Sequence, residues 1–547
     1  MTTREPIPPH LTAHHLAIAA LIALGVALRM FGLSFRDFWF DESCSFQYVH
    51  SLLAGPNWSD LLRESTNLPY YILLRGWVGL FGESEAAMRS LSVLAASAAM
   101  VPLAWTAWML AGRRAALICL ALTAFHPLHL YYAHEARVYA LWSLEMSLVL
   151  ATLVAAVRTN RLRWWIAYGA MLVVAMHTHY VTAFAVVPSL AAVLMSRDRS
   201  RSLVRWAWTT AAAMAAMVPF AYFAILPAMG TGGRTWIAGE FNPLLAIPQT
   251  LWAMLPAGGY PMHLRGLSLA APDTIELVPA SVSVAAMMLP MLVLGFCAMR
   301  LIMERQGSLR SSAIEHRHTA LGVMAIGPLC LLWLFSVLRA AIYLPGRYDM
   351  VVWPAMLVWM AVMLSDFADR WGQRGPRVAG AVTVALVLCA LVPINRSTRL
   401  HGESPHHRRA DRITEVTEPG DLVIALSYDR DYLLYYLNRA DFAGEIVSFP
   451  SWLDQQVGWL DTRADAEAAR SESLDGDADS LVQRIAATIS ANRKVLILED
   501  SMNHPGKPGP RTVINEHLLA RLREAGYRTR AIEVDRAPAI HQLEPGR

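Results

Sequence analysis

The feature that most restricts what this chain can fold into is a series of apolar stretches of roughly 17–25 residues, the length an α-helix needs to cross a bilayer. About eleven of them can be read at that length, near 14–33, 86–111, 115–132, 138–157, 164–180, 181–196, 206–227, 280–299, 319–338, 349–366 and 378–394. Composition agrees: 16% of the 547 residues are charged, against about 25% in a soluble domain. The expected class is a mainly α polytopic membrane protein with a polar tail.

The net charge of +4 matters less than where the arginines stand. Arg113 and Arg114, Arg158 to Arg163, Arg197 to Arg205, Arg300 to Arg317 and Arg370 to Arg377 occupy short connections between apolar stretches. The positive-inside rule makes those connections cytoplasmic. A cytoplasmic N-terminus satisfies all of them together, and an odd number of spans then leaves the tail outside. Spread over separate loops with no stacking platform, the arginines do not describe a nucleic-acid surface. Cys119, Cys297, Cys330 and Cys389 lie in apolar stretches and only Cys44 in a loop, so no disulfide framework or metal-type cysteine spacing is expected. Arg4 and the apolar run to Leu33 read as a retained anchor, because the run continues past Arg29.

On this topology residues 1–394 form the membrane domain, with external loops at 34–85 and 229–279, and 395–547 form an extracytoplasmic domain. Within the loops, Leu68–Phe81 reads as a segment that lies at the membrane interface or re-enters it, and Leu244–Leu255 as a helix lying along the membrane surface. In the tail, Asp421–Leu426 and Lys494–Leu498 read as short buried strands, and Ser480–Asn492 and Asn515–Ala525 have helical periodicity. Gly526 sits where a C-cap glycine belongs, and 461–480 reads as a loop. Strands alternating with helices predict a small α/β domain.

Ionisable clusters recur at the external ends of the spans. Asp41 and Glu42 follow the first, His134, Glu135 and Arg137 the third, His177, His179 and Tyr180 the fifth, and Arg347 and Tyr348 the ninth. Charge at such positions is costly and points to function. Shared sidedness allows these groups to converge in one cavity at the outer leaflet. Asp41 suits a general base, a carboxylate that takes the proton of an attacking hydroxyl, with Glu42 aiding acceptor placement or metal binding. Solvated loop acids are the bland alternative. Arg347 and Arg137 suit phosphate clamps, set against lipid snorkelling for Arg347 and pairing with Glu135 for Arg137. His177 and His179 suit helix-end hydrogen bonding. His-x-His can also bind metal on an extended segment, whereas helical spacing splays the rings. The sequence shows no internal nucleotide site and names no certain cofactor. A divalent metal stays open, with Glu42, His177 and His179 as its candidates.

These residues carry a resemblance. WFDES (39–43), NLPYYILLRGWVGLFGESEAAMRSLS (67–92), GRRAAL (112–117), LYYAHEARVYAL (130–141), THYVTAF (178–184), YLPGRYDMVVWPAM (343–356) and PGDLVI (419–424) together resemble the polyprenyl-phosphate-sugar-dependent membrane glycosyltransferases of the GT-C superfamily. Within it, the likeness is to the branch of the protein O-mannosyltransferases and the lipid A aminoarabinose transferase. No single motif is specific; order, spacing and sidedness carry the match. The resemblance implies inverting transfer of one sugar from a lipid-linked phosphosugar to a glycan, lipid or protein acceptor outside a bacterial inner membrane. It implies Asp41 as the essential first-loop acid and places Arg137, with Tyr139, in the EAR-x-Y element. Arg347 and Tyr348 fall in the late arginine–tyrosine element. Asn67, Tyr71, His134, Glu135, Tyr139, His179 and Tyr180 are then supporting or substrate-binding residues.

Two departures stand out. Asn67-Leu68-Pro69 replaces the usual His-Pro-Pro or Lys-Pro-Pro before the paired tyrosines, and the lipid A transferases' first-loop lysine is missing. The second argues against an aminoarabinose donor. The rival functions are a lipid or glycan transporter, which would show polar broken helices at mid-membrane and inverted repeats, and a non-catalytic scaffold.

Overall fold

A computed structural model describes residues 9–53, 67–225, 237, 241–255, 295, 309–398, 404–426, 429–455, 473–498, 510–535 and 537–546. The expected span at 280–299, apart from residue 295, and much of the 229–279 loop lie outside them. The chain divides into two units. The first comprises Met1–Leu33, Thr66–Ile225 and Trp236–Leu400, and the second Ser34–Ser65, Leu226–Thr235 and His401–Arg547.

The first unit is helical. Six helices among the described residues are long and apolar enough to cross a membrane, with Tyr139–Thr159 and Tyr348–Arg370 the most deeply buried of them. Leu162–Thr178, Val186–Leu194 and Arg199–Phe220 also occupy expected spans, but are shorter or more polar than that standard. Large apolar side chains such as Trp208 and Leu80 stay exposed on this unit, as lipid-facing helices require.

Glu85–Ala124 shows how sequence sets the breaks. Ser84 caps its start by accepting from Ala87 N–H at 3.2 Å. The helix is interrupted at Ala111 and Gly112, where Gly112 takes φ 78°, a conformation that costs glycine nothing. That interruption separates the spans expected at 86–111 and 115–132. The latter ends early: the helix stops at Ala124 and a new one, Pro127–Ala133, begins. Proline cannot donate to the preceding turn but fits the first turn of a fresh helix. The expected 181–196 span likewise opens as a 3-10 turn over Tyr180–Ala185 before becoming α-helical.

Close approaches rely on missing side chains. A Cβ on Gly327 would sit 2.8 Å from Pro188 Cγ, and one on Gly25 would meet the Met100 thioether. Small residues let helix backbones come together where no hydrophobic drive exists between them.

The second unit holds a five-stranded sheet of order β2-β1-β3-β5-β4, with β1 Leu422–Leu426, β2 Glu445–Phe449, β3 Val495–Leu498, β4 Tyr527–Val534 and β5 Ala537–Pro545. β1 pairs parallel with β2 and β3, and β5 runs antiparallel to β3 and β4. Every residue of β1 and β3 is buried, which explains their unbroken apolar runs. Helices Ser473–Ser490 and Pro510–Glu524 supply Ile485, Leu518 and Leu522 to the core. The loop expected over 461–480 is therefore corrected: its last residues are helical from Ser473, with Ala478 facing the core. Leu68–Phe81 and Ala246–Ala253 are helical, as the sequence suggested.

Candidate active site

In the first unit the arginines are held by tyrosines. Pro127–Ala133 ends at His134, and the turn 134–138 carries Glu135 and Arg137 to the start of Tyr139–Thr159. Arg137 Nη1 donates to Tyr71 OH at 2.7 Å. Tyr71 lies one turn into Leu68–Phe81, whose N-cap residue is Asn67. Both partners are buried.

Arg347 sits at the head of a 3-10 turn, Tyr348–Val352. Its Nε donates to Tyr139 OH, and its guanidinium carbon lies 5.2 Å from the centre of the same ring. The preceding turn is shaped by Gly346 at φ 75°, a left-handed conformation that favours glycine. Tyr132 OH donates to Gly346 O, and Asp349 Oδ2 accepts from Gly346 N–H at 2.7 Å. Asp349 Oδ2 also accepts from Thr250 Oγ, which lies 2.7 Å from Tyr343 OH. Burial pushes the Tyr343 phenol above its ordinary range, with the Asp349 charge adding to it.

Histidine and aromatic rings continue the cluster. His179 stacks on Trp142 at 4.0 Å and on Tyr180 at 5.2 Å, meets Tyr348 edge-on at 5.0 Å and lies 6.3 Å from Tyr139. The structure thus brings Tyr71 with Arg137, and Tyr139, His179, Tyr180, Arg347 and Tyr348 with one another. His177 is elsewhere: its Nδ1 donates to Val173 O at 2.9 Å and its ring faces Phe220. His134 Nε2 donates to Arg29 O at 2.9 Å. Among the described residues no group of three or more His, Cys, Asp or Glu is placed to hold a metal ion. Within the first unit the His177 and His179 rings face different partners, Phe220 and Trp142.

Sequence reasoning passed over a buried chain beside this cluster. Arg29 donates to Thr123 O at 2.9 Å, Ala124 O at 3.2 Å and Gly25 O at 2.8 Å, closing off the carbonyl end of Glu85–Ala124. It also stands 2.8 Å from His129 Nδ1. A guanidinium only donates, so Nδ1 accepts and the ring is neutral with its proton on Nε2. That proton goes to Ser143 Oγ at 2.9 Å, and the ring stacks on Trp353 at 4.1 Å. The sequence showed only an arginine inside an apolar stretch, which does not tell burial from a reach to the headgroups.

Asp41 and Glu42 belong to the second unit, in the first turn of Phe40–Leu53. Both are buried. Ser45 Oγ donates to Asp41 O at 3.0 Å, and Glu42 Oε2 lies 3.4 Å from Trp39 N–H and 3.8 Å from Arg36.

Comparison with curated protein sequences finds no match. Residues 68–223 match the family described as dolichyl-phosphate-mannose-protein mannosyltransferase. Among solved structures the chain is similar to ArnT from Cupriavidus metallidurans in its apo state, at TM-score 0.56 and 13% identity over 97% of this chain and 98% of that one. The same protein bound to undecaprenyl phosphate gives TM-score 0.55 and 13% identity over 96% and 97%. The oligosaccharyltransferase of Archaeoglobus fulgidus in its apo form gives TM-score 0.51 and 13% identity over 88% and 69%. The resemblance read from the motifs is thus met by a match to the dolichyl-phosphate-mannose-protein mannosyltransferase family over 68–223 and by the fold of these two membrane transferases, in a chain whose described residues hold six helices long and apolar enough to cross a membrane.

Proposed function

We propose that the protein is an inverting glycosyltransferase that moves one monosaccharide from a polyprenyl-phosphate donor to an acceptor at the extracytoplasmic face of a bacterial inner membrane. The observation that carries this reading is the pair of arginines, Arg137 and Arg347, each oriented by a tyrosine hydroxyl in a GT-C fold. A neighbour of that fold was solved with undecaprenyl phosphate bound, which supports a lipid-phosphate donor. Nothing in the fold or the likenesses favours a transporter.

On this reading Arg347, with Tyr348 and Arg137, holds the donor phosphate. The Asp41 carboxylate takes the proton of the acceptor hydroxyl as its oxygen bonds to the anomeric carbon. The bond from that carbon to the phosphate oxygen breaks in the same displacement, which inverts the centre. Polyprenyl phosphate leaves with the electron pair, and the guanidinium stabilises the charge where it grows. The proton stays on Asp41 until solvent removes it. Asn67, Tyr71, His134, Glu135, Tyr139, His179 and Tyr180 shape and support the donor site, and Glu42 aids the acceptor. The first-loop segment and 395–547 are assigned to the same external compartment.

The test is Asp41→Asn in cells, read by mass spectrometry of envelope glycans, with undecaprenyl phosphate affinity measured on purified protein. The expected outcome is loss of one glycan species with carrier affinity unchanged. An intact glycan profile at normal expression would refute the base assignment.

A further inference from the structure

The C-terminal module holds the very segment that carries Asp41. Residues 37–39 carry no regular secondary structure and lead into Phe40–Leu53. Asp37 Oδ2 accepts from Ser404 N–H at 2.5 Å and from His407 Nδ1 at 3.0 Å. One residue on, Phe38 N–H donates to Tyr436 OH at 2.9 Å. The Phe38 ring meets Tyr435 at 4.6 Å, and Phe46, from inside the helix, meets Tyr435 at 5.0 Å with its plane turned 79°. His407 stacks on Tyr436 at 4.4 Å. All four rings of Phe38, Phe46, Tyr435 and Tyr436 are buried. Tyr435 and Tyr436 belong to Asp429–Arg439, which packs along Phe40–Leu53.

This packing has a consequence for the acid. Asp41 and Phe46 stand five residues apart, about 140° round a helix of 3.6 residues per turn. The face pressed on Tyr435 is therefore not the face that carries the carboxylate, and seating one fixes the azimuth of the other. A roll of about 20° would carry a side chain 5–6 Å from the axis through about 2 Å. Misplacement of about 1 Å can cost two orders of magnitude in rate. A 14-residue helix is marginal by itself, since isolated helices below about 12–15 residues barely hold in water. Its pose must come from what it packs on.

We propose that Tyr435, Tyr436 and His407 are positioning residues for Asp41, and that the C-terminal module is the clamp that sets the pose of the first-loop acid. The module raises turnover without touching the donor phosphate. The inference rests on the reading of Asp41 as the base.

The experiment uses the full chain. Turnover is read as the envelope-glycan species at matched expression, carrier binding with undecaprenyl phosphate on purified protein in nanodiscs, and order by hydrogen exchange. Tyr435→Ala is expected to lower the glycan by about tenfold or more with carrier affinity unchanged. Exchange should rise over 40–53 while β1 and β3 stay protected. Tyr435→Phe, which keeps the ring between Phe38 and Phe46, should recover most of the product. His407→Ala and Tyr436→Phe should give smaller losses of the same kind. Full product from Tyr435→Ala, with Asp41→Asn inactive, overturns the clamp and leaves the base in place. Full product from Asp41→Asn overturns the base assignment instead. Should Tyr435→Ala expose β1 and β3, Phe46→Ala decides from the other side of the contact. Product lost with the sheet protected supports the clamp, and product retained overturns it.

Discussion

Arg347 donates to the hydroxyl of Tyr139 while its guanidinium carbon lies near the same ring, so its orientation is fixed before any ligand arrives. Lysine brings charge but not the planar fork. Arg347→Lys is expected to weaken undecaprenyl phosphate binding by about tenfold and Arg347→Ala by more, since a hydrogen bond to a charged group contributes about 1.5–3 kcal/mol. Equal affinity in both variants would count against the clamp on phosphate. Tyr71→Phe removes the acceptor of the Arg137 bond. It should lower glycan output several-fold with little change in Tm, measurable side by side with wild type. Arg29 behaves differently, because it closes backbone carbonyls and fixes the His129 tautomer. Arg29→Met should lower Tm, because it strips buried carbonyls of their donor, at about 1–3 kcal/mol for a buried group left unsatisfied. The arginines at span ends were legible from residue type and position. Arg29 was not singled out, because nothing local distinguishes a buried arginine from one reaching the headgroups.

At the scale of elements, the Gly346 turn links the candidate phosphate group to the core through Tyr132 and Asp349. With φ at 75°, Gly346→Ala costs about 1–2 kcal/mol and should show as weaker carrier binding by isothermal titration. Gly327→Leu places a Cβ 2.8 Å from Pro188 Cγ, with the rest of the side chain still to be fitted. Overpacking of this kind costs about 1–3 kcal/mol, so thermal unfolding in nanodiscs should shift downward. Breaks at glycine and proline explain where the sequence reading succeeded and where it slipped. Arg113 and Arg114 marked the interruption at Gly112, whereas Pro127, between His126 and His129, stood inside a stretch read as one span and its helix start went unread. The strands Leu422–Leu426 and Val495–Leu498 were legible because burial on both faces leaves a continuous apolar run.

For the whole molecule, the membrane class followed from apolar length alone, and the six long helices among the described residues agree with it. The sidedness drawn from the arginine loops makes a further prediction. A reporter fused after residue 394 should be active only outside the cytoplasm, and activity inside would reverse the topology. Hydropathy, turn residues and strand runs are local properties, so the chain announced its helical membrane part, its α/β tail and the residue types at its span ends. Which of those residues meet is not local. Tyr71 and Arg137 lie 66 residues apart, Tyr139 and Arg347 lie 208 apart, and Phe38 and Tyr436 lie 398 apart. No periodicity spans such separations. Packing decided them, because buried hydrogen-bonding groups must find partners wherever the folded helices place one.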